Sequence, residues 1–181
     1  MNTPTPGRPA TLGLTADQED AGALLAVAAA CRKALRPDRP RSGPKRVVRE
    51  ALWFIWEKPR LPDPLVESKY PKPYPWSPGA QAVHAGHSGK RPKGGWGLVI
   101  EHLYPREFLV AELLEGTAVA ETAGAVGLLT ERLMAAVVTR DEDRQLPTRA
   151  ELARPWSEYA SDPWLRYRSA ELPLERFAPL A

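Results

Sequence analysis

Apolar residues first recur at helical spacing in Leu24, Ala28, Cys31 and Leu35, one face of a helix that should begin at Thr15, where Gln18 completes a capping-box pattern. Asp17, Glu19 and Asp20 put negative charge near its N-terminus. Arg32, Lys33 and Arg36 put positive charge near its C-terminus, before Pro37 ends it. Pro44 suits the first turn of a second helix over residues 45–57. Val47, Val48, Ala51, Leu52, Trp53, Phe54, Ile55 and Trp56 cover nearly its whole circumference, so it is expected at the centre of the fold or against a partner.

Residues 59–78 hold seven prolines interleaved with Tyr70, Tyr74 and Trp76, which predicts an extended strap that either covers the hydrophobic helix or meets a partner or single-stranded nucleic acid. Ser77 and Pro78 read as the N-cap and first turn of a short helix. Apolar runs then predict strands at residues 97–101 and 134–139. Between them Phe108, Leu109, Leu113 and Leu114 mark a helix stopped by Gly116, and residues 117–133 mark another. Thr139 with Glu142, and Thr148 with Glu151, repeat the capping-box pattern, and Asp162-Pro163 starts a last helix. The expected fold is α+β, a mainly helical single domain over residues 14–181 with a small sheet from the two strands, preceded by a flexible tail at 1–13.

A chain of 181 residues, 43% of them apolar, is long enough for one real core. With Cys31 its only cysteine, neither a disulfide framework nor a cysteine metal cluster can form within it. The N-terminus lacks the basic start and apolar stretch of a secretory signal, and no apolar run reaches the ~20 residues that span a bilayer, so a cytoplasmic protein with no membrane association is expected.

Charge is unevenly divided: residues 1–95 carry +8 and residues 96–181 carry −5. Either the two halves complement each other or the first presents a basic face to phosphates. On the second view Arg39, Arg41, Lys45 and Arg46, together with Lys90, Arg91 and Lys93 in a glycine-rich loop, are the candidate nucleic-acid contacts. His84 and His87 have a metal-like spacing but are two ligands, short of a closed site.

The candidate chemistry lies where the first strand ends in Glu101-His102-Leu103-Tyr104-Pro105. If the two strands ran parallel, Glu101 and His102 would face Thr139 and the acidic turn of Asp141, Glu142 and Asp143, an arrangement suited to a divalent metal ion or to acid–base work. An antiparallel pair would separate those ends. The five-residue segment resembles the first motif of the His-Asn-His, or ββα-metal, nucleases. That resemblance implies His102 as the base that activates water; the family's downstream asparagine and histidine have no counterpart after His102, which leaves Glu101, Asp141 and Asp143 as the candidates for metal ligation or for orienting the base. The expected function is therefore nucleic-acid association, with metal-dependent phosphodiester hydrolysis as its specific form. The alternative is a non-catalytic interaction or oligomeric scaffold module, in which helix 45–57 and the strap meet a protein partner or a second copy.

Overall fold

The computed structural model describes residues 3–35, 41–87, 90, 92–93, 95–116, 121–147 and 156–181. Along the chain the elements are α1 (Leu14–Lys33), α2 (Ser42–Ala51), β1 (Leu65–Val66), β2 (Tyr70–Pro71), α3 (Pro78–Gly86), β3 (Leu98–His102), α4 (Arg106–Glu115), α5 (Thr122–Arg132), β4 (Ala135–Thr139), α6 (Arg140–Gln145), α7 (Trp156–Ser161) and α8 (Leu165–Ser169). The architecture is mainly helical α+β with two small antiparallel sheets, β1–β2 and β3–β4. Contacts divide the chain into two compact units.

The helical unit comprises Pro9–Leu61 and Pro105–Leu133. Ala21, Leu24 and Ala28 of α1 are buried at spacings of three and four, with Val48 and Leu52 and with Leu109, Val110 and Leu113 of α4. The Thr15 capping box is not used, because the helix starts one residue earlier behind Gly13, whose φ is 108°. Asp17 turns inward instead and accepts from the Leu12 amide and from the Arg60 guanidinium at 2.8 Å. Arg60 also pairs with Asp20 and lies 4.0 Å from the centre of the Trp56 ring, so its buried charge is matched on several sides. Gly116 ends α4 at φ 69°, in the left-handed region that favours glycine, and Arg32 donates to the carbonyl of Leu114 at 2.7 Å.

The expected helix 45–57 changes winding part-way. It is α-helical to Ala51 and π-helical from Leu52 to Glu57, followed by a 3₁₀ turn at Lys58–Arg60. Leu52 and Trp56 point inward, while Phe54 in the π-helical turn is 57% exposed and Val47 in the α-helical part 51%, so the helix is not buried all round as its composition implied.

The second unit comprises the described residues of Met1–Arg8, Pro62–Tyr104 and Met134–Ala181. Its centre is the β3–β4 pair, antiparallel, with Leu98 opposite Thr139 and His102 opposite Ala135. The parallel crossover is thus overturned. β4 is also paired along its other edge: Gly7 exchanges hydrogen bonds with Ala135 at 3.0 and 2.8 Å, and the Pro75–Ser77 backbone bonds both sides of Val137 at 2.9 Å. Ala135 to Val138 are consequently buried on both faces. Although the composition of residues 1–13 suggests a loose tail, Gly7 is held in this pairing, and a Cβ there would come within 2.4 Å of the Tyr74 ring.

Within this unit the proline-rich strap forms β1–β2 and then packs on the central pair, with Tyr70, Tyr74 and Trp76 all buried. Its backbone completes the pairing of β4. Trp164, Tyr167 and Phe177 meet edge-to-face at 5.0–5.8 Å beneath Leu103, Met134, Ala136 and Val138.

Candidate functional site

Strand geometry decides the fate of the acid–imidazole pair. Successive side chains of a strand point to opposite faces, and along β3 Leu98, Ile100 and His102 are buried while Val99 and Glu101 are half-buried. Glu101 and His102 therefore cannot converge on one reacting atom. His102 is only 5% exposed, and its carbonyl accepts from Arg166 Nη1 at 3.0 Å. The residue expected to act as general base is thus a buried residue at the end of β3.

The three acidic residues after β4 go to three different destinations. Thr139 caps α6 through the Glu142 amide, and Glu142 reciprocates to the Thr139 amide at 2.8 Å, the expected capping box. The same carboxylate accepts from Ser77 Oγ at 2.6 Å, tying the cap of α3 to that of α6. Asp141 faces solvent and pairs with Arg144 at 2.8 Å, both side chains being largely exposed. Asp143, two residues on along the helix, turns toward β3 and hydrogen-bonds Glu101. Asp141 and Asp143 thus do not form the expected metal pair, and among the described residues no three His, Cys, Asp or Glu side chains are grouped to hold a metal ion.

What the fold assembles instead is a carboxyl pair backed by a cation and a phenol. Glu101 forms an ion pair with Arg166, whose side chain is 10% exposed. Asp143 is raised from 3.8 to about 6, first by burial and then by the neighbouring Glu101 charge, with Arg166 and Arg144 opposing the rise. Burial, and after it Glu101, also push the Tyr167 phenol well above its usual range. Among the described residues Tyr167 Oη and Arg166 Nε have no hydrogen-bond partner. A pair of this kind can hold or release one proton near pH 6. Neither Arg166 nor Tyr167 stands out in the sequence, where they sit in an ordinary aromatic turn.

The nominated cations fall in two places. Arg39 and Arg91 lie outside the described residues. Lys90 and Lys93 are exposed in the loop after α3, where the indole of Trp96 stacks on His84 at 5.5 Å and meets His87 edge-on at 6.1 Å. His84 is lowered below its usual range, mainly by burial and then by Lys72. Arg41, Lys45 and Arg46 stand on or beside α2, joined by Arg49, which the sequence reading did not single out. Among the described residues none of these four has an ion-pair partner, and Arg41, Arg46 and Arg49 are exposed with one carboxylate, Glu50, among them. Leu52, Trp56, Tyr70, Tyr74 and Trp76, the apolar residues of helix 45–57 and the strap nominated for a partner, are buried, whereas Phe54 and Val47 are exposed.

No protein-family model, curated protein or solved structure matches the chain. Among the described residues no helix is long and apolar enough to cross a membrane.

Proposed function

We propose that this protein binds nucleic acid through α2, with phosphates as the groups it grips. The observation that carries the reading is the run of cations Arg41, Lys45, Arg46 and Arg49 over about two turns of one helix, none with an ion-pair partner among the described residues. Cations already matched by carboxylates gain little from a phosphate, whereas unmatched ones release condensed counterions when they meet it. Binding should therefore weaken steeply with salt. Titration of labelled oligonucleotides at two salt concentrations tests this, and Arg46→Ala/Arg49→Ala should flatten the slope of log affinity against log salt by about 1.4–1.8. An affinity indifferent to salt, or to both substitutions, removes α2 as the contact.

A second reading, phosphodiester hydrolysis by the same protein, draws support from Glu101 and Asp143. The antiparallel β3–β4 pair leads directly into α6, which brings Asp143 to β3, although α4 and α5 separate the two strands along the chain. In this reading Asp143 supplies a proton and Glu101, beside Arg166, receives one, while His102 takes no part. Cleavage lost in Glu101→Gln and Asp143→Asn but kept in His102→Asn is the expected pattern. Equal cleavage in all three variants excludes this site.

A further inference from the structure

Phe54 adds something that a phosphate-gripping helix does not require. The exposed face of α2 and its π-helical continuation runs through Arg46, Glu50, Phe54 and Lys58 at intervals of four residues, with Val47 and Arg49 beside them. Among the described residues Phe54 is the sole aromatic of the large exposed hydrophobics, and the others are Leu12, Leu14 and Val47. It stands in solvent because Leu52 and Trp56, two residues to either side, take the inward positions. The Lys58 ammonium sits 5.6 Å from the ring centre, a further cation at the same end of the ridge.

A cationic track that ends in an open aromatic ring matches a strand whose bases are unstacked. In a duplex the base faces are already covered by their neighbours, and only phosphates and groove edges remain to be touched. We infer that α2 takes single-stranded nucleic acid, with consecutive phosphates along Arg41, Lys45, Arg46 and Arg49 and one base stacked on Phe54. The inference rests on the reading of α2 as the phosphate contact. An anionic bilayer fits the face less well. Val48, Leu52 and Trp56 are committed to the interior of the unit, leaving only Val47 and Phe54 to insert, where an interfacial helix offers a broad apolar side.

The test uses the full chain, a labelled twelve-nucleotide thymidine oligomer, a blunt duplex of equal length and vesicles of anionic phospholipid. The wild-type protein should bind the single strand more tightly than the duplex at equal salt. Phe54→Ala should lower single-strand affinity about tenfold, leave duplex binding and the salt slope unchanged, and be rescued by Phe54→Trp. A thermal melt checks that these exposed-site variants fold. Phe54→Ala binding the single strand like wild type, or losing both substrates equally, overturns the inference while leaving α2 as a phosphate contact. Failure of Arg46→Ala/Arg49→Ala to weaken binding removes both readings, and vesicle binding in place of oligonucleotide binding assigns the face to lipid.

Discussion

Asp143 hydrogen-bonds Glu101 from α6, although the strand that carries Glu101 runs antiparallel to the one that leads into α6. Register places Glu101 opposite Ala136, on the face of the sheet that holds Val99, Tyr167 and Leu146, and α6 turns back over that face. The acidic turn thus reaches one half of the acid–imidazole pair and leaves His102 on the other side.

The shared hydrogen bond makes stability depend on pH. The folded state keeps on Asp143 a proton that the unfolded chain releases above 3.8, because the group is raised to about 6 in the fold. Its contribution is therefore fullest below 3.8, is lost as pH rises through about 6, and changes little beyond. Solvent at this half-exposed position screens the effect to about 1 kcal/mol. Asp143→Asn, whose amide donates to Glu101 at any pH, should raise Tm by about 2–4 °C at pH 7.5 and not at pH 4. Melts across that range check the difference.

Arg60 joins the 3₁₀ turn after the π-helical segment to Asp17 and Asp20 of α1. Its side chain is 1% exposed and that of Asp17 6%, so removing one partner strands a buried charge. Arg60→Met should cost about 3–5 kcal/mol in urea denaturation, and Asp17→Asn/Arg60→Met should recover part of that loss. Strictly additive losses would mean the pair is not coupled.

Glu142 should matter more than the cap it completes. Thr139→Ala removes a capping hydroxyl and should cost about 1 kcal/mol. Glu142→Ala also leaves Ser77 Oγ and the Gly79 amide without their acceptor, and should cost about 2 kcal/mol or more. Chemical denaturation of the two variants side by side gives the ranking, with Glu142→Ala the less stable.

His102→Ala should act on stability rather than on chemistry. The buried ring fills space under β3, and truncation should cost about 1–3 kcal/mol while leaving oligonucleotide affinity unchanged. A variant that melts like wild type yet loses cleavage would return His102 to a catalytic role.

Several elements were legible before any coordinates because the interactions that make them span only a few residues. The 3–4 spacing of Leu24 and Ala28, the Ser77-Pro78 start of α3, the Gly116 stop of α4 and the Thr139–Glu142 box each lie within a turn or two of chain. The two strands of the central pair were legible as apolar runs, to within a residue at each end. Their direction was not, since both orientations bury the same residues and the choice depends on the path taken through α4 and α5.

Three outcomes belong to the tertiary structure alone. Which of Asp141, Glu142 and Asp143 meets Glu101 follows from how α6 lies against β3, and adjacent carboxylates in a sequence carry no sign of it. Arg166 and Tyr167 enter the site because α8 packs beneath that face, far along the chain from β3. Phe54 stands in solvent because Leu52 and Trp56, two residues to either side, face the core and leave it on the opposite side of the helix. The order of residues by itself determined that this chain carries an excess of cations in its first half and enough apolar residues for a core. Long-range packing determined which of those cations stand exposed on α2, and which acid keeps a proton.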